Sequence, residues 1–169
     1  GNQGRSDASA IARINFNNPA DPLDDTTEIL VDLSPSNTGS SEFISLLRGM
    51  DTLPNGNIII SDLNSQSIWE IQLDGNGDFA GLNRILDLEA DGRAPGSVIY
   101  NPFTNKINYV EFTDGDPTNM EIVEINLDGT GANVLASGLT SVGSLVAIPA
   151  PASAALLGLG GLAAARRRR

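Results

Sequence analysis

Oxygen-bearing side chains stand at alternate positions of one short loop, Asp74-Gly75-Asn76-Gly77-Asp78. This is the kind of ligand set that Ca²⁺ prefers, so Asp74, Asn76 and Asp78 are the candidate metal ligands. An EF-hand loop would also need glycine at its sixth position and glutamate at its twelfth, where this sequence has Phe79 and Ile85. A hairpin turn explains the same residues and recurs at 128–131, so we prefer the turn and expect no cofactor.

The sequence contains few other residues that could act in catalysis or bind a metal. Asp114 and Asp116 could present two carboxylates from a loop, but no acid or base partner accompanies them. The chain has no histidine and no cysteine, which excludes imidazole catalysis and thiolate or imidazole zinc ligands within it. No nucleophile elbow or phosphate-binding loop is present, so the sequence predicts no catalytic residue. Trp69, Tyr100 and Tyr109 lie in apolar strands and are predicted to pack in the core.

The net charge of −11 hides an asymmetry. Four of the ten basic residues are the terminal arginines, which leaves six basic against 21 acidic residues and a charge of −15 over residues 1–165. Such a body repels polyanions, so nucleic acid is not an expected partner.

A strand pattern recurs three times along the chain. Its copies begin at Ile11, Ile68 and Ile122, which are 57 and 54 residues apart, and each is followed by a turn and another apolar strand. Two further strands precede the second and third copies, joined by turns rich in proline, asparagine and glycine. The expected additional strands are Glu28–Leu33, Ile44–Met50, Asn57–Asp62, Arg84–Leu88, Gly96–Tyr100, Lys106–Phe112 and Asn133–Ala136.

Four strands and three turns in about 50 residues are typical of a β-propeller blade. The sequence therefore predicts an all-β propeller region over residues 1–147, with Ser34–Ser45 as a loop and an inserted loop around Thr113–Thr118. Half a blade, two whole blades and one more strand at Gly143–Ile148 make two and a half to three blades, whereas propellers close with four to eight. We therefore expect the C-terminal part of a larger propeller, or a piece that another chain completes.

The segment Lys106–Asp114, followed by Ile122–Thr130, resembles the YWTD repeat of receptor-type propellers and their NHL-like bacterial relatives. The likeness covers about residues 46–137. The central tetrapeptide differs, because it reads Tyr-Val-Glu-Phe at Tyr109–Phe112 and Ile-Ser-Asp-Leu at Ile60–Leu63. The resemblance implies the propeller fold and no particular ligand.

The last 22 residues change composition abruptly. A short motif (Ile148, Pro149, Ala150, Pro151) precedes 14 uncharged residues at 152–165 and then Arg166, Arg167, Arg168 and Arg169. As a helix, 152–165 would span about 21 Å, which is short for a bilayer core of about 30 Å. We nevertheless predict a transmembrane helix over 152–165, with the arginines on the cytoplasmic side and the acidic body outside.

This order of proline motif, apolar helix and basic cluster resembles the PEP-CTERM sorting signal of Gram-negative bacteria, although Ile-Pro-Ala-Pro replaces the usual Val-Pro-Glu-Pro. The resemblance implies processing near the motif by an exosortase, a membrane cysteine protease; an unprocessed tail anchor is the alternative.

These patterns predict an exported protein held in the inner membrane, at least transiently, and then displayed at the cell surface or released. There it would bind an unknown extracellular ligand or act as a structural module or spacer. The alternative is a metal-dependent propeller enzyme of lactonase or lyase type, with catalytic residues mostly in further blades.

Overall fold

The computed structural model describes residues 9–15, 26–39, 42–113 and 116–149. Within these residues the protein is all-β, and its strands form three antiparallel sheets. The hairpin sheet consists of β1 (Ala10–Asn15) and β2 (Thr26–Asp32). The central sheet consists of β3 (Leu47–Thr52), β4 (Ile58–Asp62), β5 (Ser67–Leu73) and β6 (Phe79–Asp87). The C-terminal sheet consists of β7 (Arg93–Asn101), β8 (Lys106–Thr113), β9 (Asp116–Ile125) and β10 (Asn133–Leu139).

Each four-stranded sheet is a meander in which every strand pairs with its neighbours in sequence. The two sheets share their register: Ile60 lies opposite Trp69 in the central sheet, and Tyr109 lies opposite Val123 in the C-terminal sheet. The repeat predicted from the sequence is therefore confirmed as a structural repeat. Gly77 and Gly129 occupy matching turns with φ of 83°, a left-handed conformation that favours glycine.

The central sheet is apolar on both faces. One face packs Ile60, Trp69 and Ile71 against the hairpin sheet, where Ile11 and Val31 are buried. The other face packs Ile59 and Ile68 against the C-terminal sheet, in a cluster that also contains Val98, Ile107, Tyr109, Val123 and Ile125. Burial of these side chains on both sides of one sheet holds the three sheets in a stack.

The central and C-terminal sheets meet most closely at their first strands. A Cβ atom added to Gly49 would lie 2.5 Å from the Val98 backbone nitrogen and 3.1 Å from Ser97 Cα. The Asp51 carboxylate accepts a hydrogen bond from the Tyr100 backbone N–H at 2.8 Å, and the Ser61 hydroxyl donates to the Gly96 carbonyl. Glycine at position 49 thus lets β3 and β7 approach backbone to backbone.

Three local expectations were wrong. Ser34–Ser45 was predicted as a loop but includes a helical turn, α1 (Pro35–Thr38). A 3₁₀ turn that the sequence did not predict spans Glu89–Asp91. The described residues of the Thr113–Thr118 insertion extend the β8–β9 hairpin, since Thr113 pairs with Asp116. Gly143–Ile148 is not a strand, because among the described residues it has no strand beside it to complete a ladder.

In the part of the chain that the structure describes, no helix has the length and apolar character needed to cross a membrane. The predicted helix at 152–165 lies outside the described residues.

We expect Gly49→Ala to destabilise the fold by about 1–3 kcal/mol, because its methyl group would force β3 and β7 apart. Urea unfolding followed by the fluorescence of Trp69, the sole tryptophan, measures this change. Gly75→Ala is the matched control, since nothing lies within 4 Å of its added Cβ. Equal midpoints for the two variants would contradict the steric argument.

Candidate functional site

Two buried acidic residues occupy equivalent positions in the central and C-terminal sheets. Asp62 ends β4, and Glu111 lies near the end of β8, at the third position of the two tetrapeptides that the sequence comparison aligned. Asp62 is 0% exposed and Glu111 is 5% exposed. A buried carboxylate requires partners, so the partners decide what these residues can do.

The Asp62 carboxylate binds three backbone N–H groups. Oδ1 accepts from Ser45 at 3.1 Å and from Leu46 at 2.6 Å, and Oδ2 accepts from Ser65 at 2.7 Å. The Ser65 hydroxyl in turn accepts from the Trp69 indole N–H at 2.9 Å. Asp62 therefore ties the chain entering β3 to the β4–β5 turn. This also explains why β3 begins at Leu47 and not at Ile44 as predicted.

Glu111 binds side chains instead. Arg93 Nη1 forms an ion pair with its Oε1, and the Tyr109 hydroxyl donates to its Oε2. The same Arg93 nitrogen lies 3.2 Å from Glu121 Oε2 on β9. The cluster therefore joins the first three strands of the C-terminal sheet and carries a formal charge of −1.

Burial raises the pKa of Tyr109 to about 12, and the nearby Glu121 carboxylate adds to this while Arg93 opposes it. A phenol with this pKa stays protonated at neutral pH and is a poor general base. The Arg93–Tyr109–Glu111–Glu121 cluster therefore serves to hold the sheet end in shape, since each of its acids already has a charged or hydrogen-bonding partner.

The candidate calcium ligands form a turn in the structure. Asp74 Oδ1 accepts from the backbone N–H groups of Asp78 at 3.0 Å and Asn76 at 2.8 Å, and these bonds lower the pKa of Asp74. The Asp78 carboxylate lies 3.5 Å from Arg13 Nη2. Asp128, the sequence equivalent of Asp74, accepts from the Thr130 backbone N–H at 3.0 Å, but the matching turn begins two residues earlier than predicted, at Asn126. No group of three or more metal-binding acidic, histidine or cysteine side chains occurs among the described residues.

The other residues singled out in the sequence differ in burial and in their contacts. Trp69 is buried at 5% exposure, as predicted, with the Arg84 guanidinium 5.3 Å from its ring centroid. Tyr109 is also buried, whereas Tyr100 is half-buried and bonds to Asn105. Asp116 bonds to Thr118 within β9, which lowers its pKa, and Asp114 lies outside the described residues.

The start of the predicted sorting motif is accessible. Ile148 is 73% exposed and Pro149 is exposed, and neither belongs to a helix or strand. Ala150, Pro151 and the arginines at positions 166 to 169 lie outside the described residues.

The sequence reasoning did not single out Asp62 and Glu111 as organising residues. The sequence does contain a signal. The tetrapeptides Tyr109–Phe112 and Ile60–Leu63 have no residue in common, but both have an acidic residue at the third position. An acid that recurs inside an otherwise apolar strand predicts a buried carboxylate with dedicated donors.

No family model matches the chain, and no curated protein is similar to it by sequence. Among solved structures, a luciferin-regenerating enzyme has a similar fold, with a TM-score of 0.50 and 11% identity. The likeness covers 70% of this chain and 36% of that one, so the matched part is about a third of the other protein. That protein is a β-propeller, and at this identity the likeness shows the fold alone: the protein is all-β with a propeller-like arrangement of sheets.

We expect Asp62→Ala to destabilise the protein by about 3 kcal/mol, because it leaves one buried and two partly buried N–H groups without their acceptor. Chemical unfolding at pH 7 measures the loss. Asp78→Ala removes an exposed carboxylate with one long contact and should change stability little. A loss for Asp62→Ala no larger than for this control would show that the backbone finds other acceptors.

Tyr109 should titrate about two pH units above an unperturbed tyrosine, whose pKa is about 10. In a Tyr100→Phe variant it is the sole tyrosine, so absorbance at 295 nm reports its ionisation directly. Because the folded-state pKa is raised, its contribution to stability is complete below about pH 10 and is lost as the pH rises towards about 12. A midpoint near pH 10 with the fold intact would overturn the buried assignment.

Proposed function

We propose that this protein is exported and sorted by an exosortase-type system, and that its sheets are blades of a propeller displayed at the cell surface or released as a binding or structural module. The inner membrane would hold it transiently through a helix at 152–165, with an exosortase-like enzyme as its processing partner. The observation that carries the proposal is the order of motif, apolar segment and four arginines at the end of an acidic all-β body.

The geometry at the motif supports processing. A membrane protease needs an accessible, unpaired stretch of backbone, and Ile148 and Pro149 are exposed and belong to no strand or helix. The segment before them is attached to the C-terminal sheet, where the Leu145 backbone N–H donates to Ser97 Oγ at 3.2 Å. Cleavage after this attachment point would leave the sheets intact.

The state of the buried acids supports a binding or structural role. Asp62 is fully used by backbone donors, and Glu111 is bound by Arg93 and Tyr109. These groups stabilise the body and present no free acid and base pair to a substrate. Contacts with an extracellular ligand would then come from the turns between strands.

A propeller enzyme is the second candidate, favoured by the similar fold of the luciferin-regenerating enzyme. Its catalytic residues would come mostly from further blades. Metal analysis of the full-length protein, with hydrolase assays before and after chelation, tests this: bound metal with chelator-sensitive turnover would favour the enzyme over the binding module.

The sorting proposal predicts a mass change that depends on the processing enzyme. In a host with an exosortase, intact mass should fall by about residues 152–169 and the body should leave the inner membrane; in a host without it, the full tail should remain membrane-bound. Pro149→Ala or replacement of the four arginines by glutamine should reduce this processing at least tenfold, by altering the motif or the basic cluster.

Pro54→Ala is the matched control, because this proline lies in an exposed turn between β3 and β4 and should leave processing unchanged. Retention of the full tail in both hosts would make the segment a plain anchor. Recovery of the protein in the cytosol alone would reject export.

A further inference from the structure

We propose that this protein binds a small monocarboxylate with an apolar body, in a cavity lined by Arg48. The cavity has a volume of about 340 Å³ and is formed by β3, by β7, β8 and β9 of the C-terminal sheet, and by the segment 142–144 that follows this sheet. The inference rests on side chains of the described residues and is independent of how the tail is processed.

Arg48 differs from the other cationic side chains of the described residues because it has no acidic partner. Arg13, Arg84, Arg93 and Lys106 each form an ion pair with one or two carboxylates. Acidic residues outnumber basic ones by 21 to 10 in this chain, so acidic partners are plentiful. Arg48 is exposed at the cavity and keeps its hydrogen-bond donors available to an anion from outside.

The walls of the cavity are mostly apolar. Val110 of β8 is 2% exposed, and Phe112 and Met120 are half-buried. Val142 lies on the segment that closes the cavity from the other side. An anion that fills this space must therefore carry an apolar chain or ring beside its charged group.

Ser97 supplies a second polar group, and its hydrogen bond fixes one wall. Its Oγ accepts from the Leu145 backbone N–H at 3.2 Å, which holds the segment against β7. Within the described part of the chain the hydroxyl hydrogen of Ser97 has no acceptor, so it can donate to a ligand. Next to Arg48, the close approach of Gly49 to β7 fixes the strand that carries the guanidinium.

Charge and size select the class of ligand. A guanidinium neutralises one negative charge, and its planar donors match the two oxygens of a carboxylate. A phosphate ester would bring a charge of about −1.5 to −2 into an apolar cavity with one cation and an acidic chain around it. The volume of about 340 Å³ is at the lower end of the roughly 300–1,000 Å³ of ligand sites, so the carboxylate must be small.

Titration of the full-length protein with 3-phenylpropionate and with hexanoate, followed by backbone amide NMR shifts, tests the proposal. We expect one acid per chain with a Kd of about 1 mM or lower, and the largest shifts at Gly96, Ser97 and Ser144, which line the cavity. 3-Phenylpropionamide has the same ring without the charge, so it should bind about tenfold more weakly or worse.

Substitutions of Arg48 separate the charged contact from the apolar one. Arg48→Gln should weaken binding of both acids about tenfold or more and leave binding of the amide unchanged. Arg48→Lys should fall between Arg48→Gln and the wild type, because it keeps the charge but loses the planar donors. Lys106→Gln is the matched control: it removes one positive charge from the C-terminal sheet outside the cavity and should leave the affinity unchanged.

Urea unfolding of the ligand-free variants shows whether Arg48 is already occupied. If a carboxylate from another part of the protein fills the cavity, Arg48→Gln will lower the unfolding midpoint without ligand, and this result would overturn the site. Equal loss of affinity in Arg48→Gln and Lys106→Gln would also overturn it, because the acids would then respond to net charge alone. Absence of saturable binding of both acids to the wild type would reject the proposal outright.

Discussion

The central sheet is apolar on both faces, and the rest of the structure depends on this. Ile59 and Ile68 cannot be buried at the same time as Ile60, Trp69 and Ile71 unless a sheet packs on each side. With a partner sheet on one side only, the central sheet would leave its other face in water, at a cost of about 1.5–3 kcal/mol for each large apolar side chain left exposed. The hairpin and C-terminal sheets therefore stabilise the central sheet by burying its two faces.

Polar groups set the geometry of this stack. The apolar faces would tolerate some sliding, but Asp51 and Ser61 bind particular backbone groups of β7 and so define how the central and C-terminal sheets align. Glycine at position 49 removes the side chain that would keep β3 away from β7. The hydrophobic effect supplies most of the free energy, while these buried hydrogen bonds select one arrangement among several of similar burial.

Most of the fold could be predicted from the sequence because its signals are local. Alternating strands such as Ile68–Leu73 and turns such as Asp74–Gly77 determine their own conformation, and the repeat at Ile122 repeats the same meander. Features that depend on distant partners could not be predicted. Asp62 draws Ser45 and Leu46 out of β3, and Gly143–Ile148 lacks a ladder partner within the described residues, so neither outcome can be read from the local pattern. The candidate calcium ligands Asp74, Asn76 and Asp78 could not be assigned from the sequence, because a turn and a metal site use the same side-chain oxygens.

The meander has a consequence for how the protein is made. Every strand pairs with its neighbour in sequence, so the central sheet can form as soon as Asp87 has been synthesised. Its face with Ile59 and Ile68 is then not fully covered until β9 is complete at Ile125. At about 5–20 residues per second, ribosomes need roughly 2–8 s for that stretch. During synthesis this apolar face is therefore open to chaperones and to other nascent chains.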